Sequence, residues 1–373
     1  MSDLGGPPTV GVEEEFLLVD PVTGQVVPGV EQALDEVEPA LRKHVERALL
    51  TSQIEINSPP ARTLEELRRS LGELRSAVSD AAERSGVRLL ALGTGILDGP
   101  YAPVADDPRF HRMAERFGEL CPSPGLNGVH VHVAIPGREL GVQVINHLRP
   151  ALPVLHAVTT NSPYFRGIDT GYASWRSILW ARWPSAGPPP YLRDPADYDR
   201  RVGQLIDVEA MLDEPMLYWY ARLSSRYPTV EIRVGDVCLG LDDTILLAAL
   251  VRALVLTALF DVAMGREAPA IDQNLLVAAH WRAARDGLEG MGVDVQTGEL
   301  RPAWHLLRHL VDTVTPALER HGDLPIVTIL LGRLRSRGTG AAWQRATQAR
   351  TGDLRQLLRL VANQTRGRGL GQP

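Results

Sequence analysis

Three consecutive carboxylates, Glu13, Glu14 and Glu15, sit inside the apolar stretch of residues 10–19. The flanking residues favour a strand, and alternate side chains of a strand share a face. Glu13 and Glu15 therefore point one way and Glu14 the other. Two like charges on one face of a buried strand repel, and stripping their water is costly. A cation bound by both relieves that cost, and hard oxygen donors favour Mg2+ or Mn2+. This stretch alone leaves a second reading open, an edge strand with both carboxylates in water.

Three further segments repeat the pattern. Residues 52–60 place Glu55 between Ile54 and Ile56 and end in the strand-stopping pair Pro59 and Pro60. Residues 128–136 alternate Val129, Val131 and Val133 with His130 and His132, so the two imidazoles share a face. Residues 229–236 put Glu231 and Arg233 on a common face. A lone Glu on a strand is ordinarily at an edge, and a lone His is ordinarily structural. Four such strands in one chain point to one site on one face of a sheet.

The intervening elements have to bring those strands together. Strand signals cover residues 10–19, 25–27, 53–57 and 87–93. Helices are expected near 31–50, 63–85, 110–121 and 142–160. Thr63 and Glu66 form a capping-box pattern ahead of a stripe of Leu64, Leu67, Leu71, Leu74 and Val78. Residues 161–195 are rich in Gly, Pro, Trp and Arg without a clear period, which suits a binding loop or lid, the alternative being a surface excursion tied down by its aromatics. From residue 241 onward the pattern is almost wholly helical, with helices expected at 241–264, 272–287, 302–320, 325–337 and 353–364. The order of strands, then helices, predicts an α+β fold. It is read as one domain over residues 1–364, with residues 365–373 a disordered Gly/Arg tail.

Composition narrows the function classes. The 373 residues are 44% hydrophobic, enough for a large core. Net charge is −6 and the basic residues are scattered, so no nucleic-acid partner is expected. No uninterrupted apolar run approaches a membrane span of ~20 residues. The N-terminus lacks a basic-then-apolar leader, so a cytoplasmic location is expected. Cys121 and Cys238 are isolated, which indicates neither a disulfide scaffold nor a cysteine-rich zinc site. Lys43 is the sole lysine among 39 basic residues, and no Gly-rich loop ends in Lys-Ser or Lys-Thr. A P-loop is thereby excluded, and any phosphate would be handled by arginine and metal ions. The apolar C-terminal helices leave room for a homo-oligomer interface.

Taken together, Gly-Val-Glu-Glu-Glu-Phe (11–16), Gln-Ile-Glu-Ile-Asn-Ser-Pro-Pro (53–60), Gly-Val-His-Val-His-Val (128–133), Tyr-Ala-Ser-Trp-Arg (172–176) and Glu-Ile-Arg-Val-Gly-Asp (231–236) resemble the carboxylate-amine ligases. These are the type-two glutamate–cysteine ligases of the glutamine synthetase-like superfamily. The resemblance runs from Gly11 to about Asn363. It implies a curved, largely antiparallel sheet forming a funnel faced by helices. ATP would enter at one end and an acidic amino acid at the other, with Mg2+ or Mn2+ between them.

The resemblance also assigns roles. Glu13, Glu15, Glu55, His130 and Glu231 would be metal ligands, and His132 would face the nucleotide. Arg233 would meet the transferring phosphoryl group or the substrate carboxylate. Arg176 would be a second catalytic arginine. The implied reaction makes an acyl phosphate on an amino-acid carboxylate, expected to be the glutamate γ-carboxylate. An amine acceptor then takes the acyl group, with weak glutamate–cysteine ligase activity implied. Two competing readings stand beside this one. A metal-dependent amidohydrolase could use the His-x-His pair and carboxylates to activate water, although such enzymes carry that pair early in a (β/α)8 barrel. A binding module without turnover would be expected to have lost some of the carboxylates.

Overall fold

The computed structural model describes residues 8–121 and 125–367. The carboxylate-rich stretch forms β1 (Val10–Val19), the longest strand described and the centre of the main sheet. Around it lie β2 (Val45–Arg47), β3 (Gln53–Asn57), β4 (Arg88–Leu90) and β5 (Gly128–Ala134). After a small hairpin of β6 (Tyr164–Phe165) and β7 (Ile168–Asp169) come β8 (Ala221–Leu223) and β9 (Thr229–Asp236). The order across the sheet is β2-β3-β1-β5-β9-β8, with β4 pairing the end of β1. Every pairing in it is antiparallel. A second hairpin joins β10 (Met291–Asp294) to β11 (Glu299–Pro302).

One face of this sheet is apolar. Val12, Phe16, Ile54, Ile56, Val129, Val131, Val133, Val230, Ile232 and Val234 are all buried in one continuous core. Three helices, Leu64–Arg84, Arg138–Leu148 and Leu241–Ala263, cover it. The first of these starts as expected. Thr63 accepts from the Glu66 amide, and the Glu66 side chain accepts in return from the Thr63 amide. Leu241–Ala263 is long and apolar enough to cross a membrane by composition, but most of it is packed inside this core.

Glu14 points into that apolar core and is completely buried. It is held by Arg75 of helix Leu64–Arg84, also completely buried, through two hydrogen bonds of 2.5 and 2.8 Å. Thr244 Oγ1 donates a third bond of 2.6 Å to Glu14, and Arg75 also reaches the Cys238 carbonyl at 3.0 Å. The whole polar knot is satisfied within the core, which is the condition for burying charge.

Several local expectations differ from the structure. The helix expected over 31–50 stops at Asp35, because Pro39 follows and the chain turns into β2. The strand expected at 25–27 reduces to one bridge between Val19 and Val26. The helix expected over 142–160 splits into Arg138–Leu148 and Leu152–Val158 at Pro150. Residues 161–195 are not a free loop. They contain β6, β7 and the helix Trp175–Trp180. They are also tied to Asp236, whose carboxylate accepts from the Asn161 amide, Ser162 Oγ and Ser174 Oγ at 2.7 to 2.9 Å. Helix Gly340–Thr351 and the β10–β11 hairpin were not anticipated. At the C-terminus Thr365 closes the helix Leu354–Thr365 and is buried against Ala91. Residues 368–373 of the expected tail lie outside the described residues.

Two predictions follow from these contacts. Arg75→Met should lower unfolding stability by about 3–5 kcal/mol in urea titration, because it strands a buried carboxylate. Adding Glu14→Leu to it should recover much of the loss. The second concerns His156 and His280, which are buried on helices Leu152–Val158 and Gln273–Asp286. Burial, with help from the Arg176 charge, pushes the His156 pKa down to about 3, and burial also holds His280 well below its ordinary value. The unfolded chain thus binds more protons than the native one between pH 6.5 and about 3. Stability should be fully present above pH 6.5 and fall as the pH drops through that window. His156→Gln/His280→Gln should flatten the slope of melting temperature against pH.

Candidate active site

Register decides which side chains share the polar face. In the β1–β3 pair Glu15 is opposite Glu55 and Glu13 is opposite Asn57. In the β1–β5 pair Glu13 is opposite His130 and Gly11 is opposite His132. His132 is in turn opposite Glu231 on β9, and Glu231 is opposite Arg222 on β8. Residues opposite one another in a ladder point to the same side. Every residue that the sequence nominated from these strands therefore lies on one face.

At the centre Glu13 bridges the two histidines. Its Oε2 is 3.0 Å from His130 Nδ1, and its Oε1 is 3.2 Å from His132 Nε2. The second contact is an ion-pair approach not aligned as a hydrogen bond, so neither His132 Nε2 nor His130 Nε2 has a hydrogen-bond partner. Thr229 Oγ1 orients the His132 ring from its other nitrogen at 2.9 Å. Glu13, His132 and Glu231 each offer one donor atom within 4.8 Å of the others. His130 Nδ1 is 4.0 Å from Glu231 Oε1.

Glu231 is held by two arginines. Arg222 reaches both of its oxygens at 2.7 and 3.1 Å, and Arg233 donates to Oε1 at 2.8 Å. Tyr218 lies beneath the Arg233 guanidinium at 5.3 Å. Glu15 accepts from the Gly128 amide at 2.6 Å. Arg176, 2% exposed, lies against Gly128 and stacks over Trp180 at 5.4 Å. Its guanidinium is 4.0 Å from Asp236, and its Nε has no partner. A side chain at Gly128 would collide with Arg176, since an added Cβ would fall 3.1 Å from its Cζ.

The protonation pattern follows from these neighbours. Burial works to raise the Glu13 pKa, but His130 and His132 outweigh it and hold the group well below its ordinary value. Burial likewise opposes ionisation of Glu231, and Arg222 and Arg233 overcome it, bringing the pKa to about 2. Burial would lower His132, yet contact with Glu13 and the charge of Glu231 raise it. Glu55 goes the other way. Loss of water is the largest influence, followed by Glu13, Glu15 and Glu46, and its pKa rises well above the ordinary value.

A divalent cation fits this set. One carboxylate is driven toward protonation by burial and then by three acidic neighbours, and two buried imidazole nitrogens lack hydrogen-bond partners. Buried polar atoms are rarely left so. A cation would restore the Glu55 charge and occupy the open nitrogens.

Sequence reasoning missed Arg222, Thr229 and Asp236 as parts of the site. β8 has only three residues and no alternation to reveal it. The hairpin pairing of 221–223 with 230–232 is what exposes Arg222.

A model of glutamate–cysteine ligase family 2 matches residues 9–359. The chain belongs to that family. A protein from Salinispora arenicola (strain CNS-205) named "Putative glutamate–cysteine ligase 2" is 51% identical over 359 residues, covering 96% of this chain and 95% of the relative. A Nocardia farcinica relative, named as type 2-1 of the same ligase in the same terms, is 48% identical over 90% of this chain and 88% of its own length. The fold resembles the Francisella tularensis glutamate–cysteine ligase solved with AMP, with a TM-score of 0.70 at 13% identity over 96% of this chain and 89% of that one. It also resembles a bifunctional glutathione synthetase from Pasteurella multocida, with a TM-score of 0.70 at 16% identity. This match covers 97% of the chain but 52% of the synthetase. The family is one of carboxylate–amine ligases, so the protein is an ATP-dependent enzyme that forms a carbon–nitrogen bond. Among the described residues the main sheet is antiparallel throughout, unlike the (β/α)8 arrangement on which the amidohydrolase alternative rested.

Arg222→Met should test the clamp on Glu231. Steady-state turnover should fall at least tenfold, about 1.4 kcal/mol of transition-state stabilisation. An unchanged rate would make Arg222 merely structural.

Proposed function

We propose that the enzyme phosphorylates the γ-carboxylate of glutamate with ATP and transfers the acyl group to an amine. The observation that carries this reading is the register that gathers Glu13, Glu15, Glu55, His130, His132 and Glu231 on one face beside Arg233. A polyanionic nucleotide calls for such a face. Several acids are needed to hold cations against phosphates, and an arginine is needed where charge develops.

The carboxylate oxygen of the acid attacks the γ-phosphorus, and the bond to the β-phosphate oxygen breaks, releasing ADP. The amine nitrogen then attacks the acyl carbon, phosphate leaves with the bonding electrons, and the nitrogen loses a proton. Arg233 faces the transferring phosphoryl group, and Tyr218 and Glu231 hold its guanidinium in place. Arg176 supplies positive charge against Gly128, whose amide donates to Glu15.

Mg2+ or Mn2+ bound by Glu13, Glu15, Glu55, His130 and Glu231 would supply charge neutralisation for the phosphates. The resemblance gave His132 to the nucleotide. Its place with Glu13 and Glu231 in one donor group argues for the cation instead.

The test is ADP release with ATP, Mg2+ and glutamate across a panel of amines, with products read by mass spectrometry. Amine-dependent ADP with a matching amide is expected. ADP release that ignores both acid and amine would sink the proposal. Glu15→Ala and Glu231→Ala should each reduce turnover at least a thousandfold, about 4 kcal/mol. Arg233→Lys should fail comparably, because an ammonium cannot reproduce the guanidinium fork.

A further inference from the structure

A cavity of about 1020 Å³ opens where helices Leu152–Val158, Trp175–Trp180 and Gln273–Asp286 meet the segment leading into β8. None of the proposed cation ligands lines it. Its inner wall holds His156, Ser177, Tyr220 and His280, and Val277 and Trp281 stand half-exposed at its mouth. This mix of apolar wall and few polar groups is that of a small-molecule site.

Arg201, Gln204, Asp207 and Gln273 also line the cavity, and at the inner wall three polar groups form a chain. Ser177 Oγ is 2.7 Å from His156 Nε2, and His156 Nδ1 is 3.4 Å from His280 Nδ1. The chain ends at His280 Nε2, which has no partner although the residue is only 3% exposed. Two neutral imidazoles facing through their Nδ1 atoms share one proton. If His156 donates it, His280 Nε2 carries a hydrogen and can donate. If His280 donates it, Nε2 is bare and can accept. The open end therefore suits a group that does either, such as a hydroxyl. The Tyr220 ring lies 4.6 Å from the His280 ring and offers an aromatic wall beside it.

This cavity adjoins the reaction face. Tyr220 immediately precedes β8, whose Arg222 is opposite Glu231. Its carbonyl accepts from the Arg233 amide at 2.9 Å. Consecutive residues split between the two spaces, with Arg176 against Gly128 and Ser177 in the cavity wall.

We propose that this cavity receives the body of the acceptor amine, and that this amine carries an aromatic ring with a hydroxyl rather than being a small aliphatic amino acid. A cysteine would leave most of the space empty. The inference rests on the ligase reading above.

The full-length enzyme, with ATP, Mg2+ and glutamate, is assayed with hydroxylamine, cysteine, phenethylamine and tyramine. Hydroxylamine is small enough to trap the acyl phosphate as a hydroxamate without using the cavity. Tyramine should exceed cysteine at least tenfold in kcat/KM, and phenethylamine should fall below tyramine. Val277→Trp, a change at the exposed mouth, should lower the ratio of tyramine to hydroxylamine turnover at least tenfold. His280→Phe should narrow the gap between tyramine and phenethylamine. Hydroxamate formation with cysteine preferred, or with the tyramine ratio untouched by Val277→Trp, overturns the cavity assignment and leaves the ligase reading standing. Absence of hydroxamate overturns both.

Discussion

The whole site depends on holding many carboxylates on one face of a sheet against their mutual repulsion. Glu13, Glu15, Glu55 and Glu231 come from the strands β1, β3 and β9, with the histidine strand β5 between β1 and β9. Positive groups answer most of that charge. The two histidines flank Glu13, and Arg222 and Arg233 enclose Glu231. Glu15 accepts from a backbone amide instead, and Glu55 has no arginine or histidine partner among the described residues, so burial and then the charges of Glu13, Glu15 and Glu46 raise its pKa. The uncompensated end of the row is where a cation gains most.

The scaffold meets this constraint by dividing labour between faces. The valines and isoleucines behind the carboxylates lie in one core with three long helices. A rigid backing holds the polar side chains in place, as a site built on strands requires. The aromatic segment between residues 161 and 195 is fastened from beneath by Asp236, which accepts from Asn161, Ser162 and Ser174. Arg176 owes its position to that anchor, because its own amide donates to Ser162 Oγ.

Strand alternation made the candidate face legible. In residues 10–19, 53–57, 128–134 and 229–236 the period of two alone sorted Glu13, His130 and Glu231 from the apolar residues between them. The fold class and most C-terminal helices were readable for the same reason, from apolar periods and caps. What escaped was pairing. No local pattern says that residue 222 stands beside 231, or that 156 meets 280 across more than a hundred residues. Helix boundaries also slipped where a proline was underweighted, as at Pro39 and Pro150. Helix Gly340–Thr351 escaped because the residues it buries, among them Gly340, Gln344 and Thr347, make no apolar stripe.

The buried pair of Glu14 and Arg75 has one more effect. A strand shifted by a single residue exchanges its two faces. In β1 the shift would turn Glu13 and Glu15 inward together, toward a place where Arg75 is already matched to a single carboxylate, and would send Glu14 out alone. The triplet of identical residues is thus not ambiguous to the folding chain. Arg75 counts the carboxylates that enter the core, admits one, and so sets the phase of the strand on which the chemistry stands.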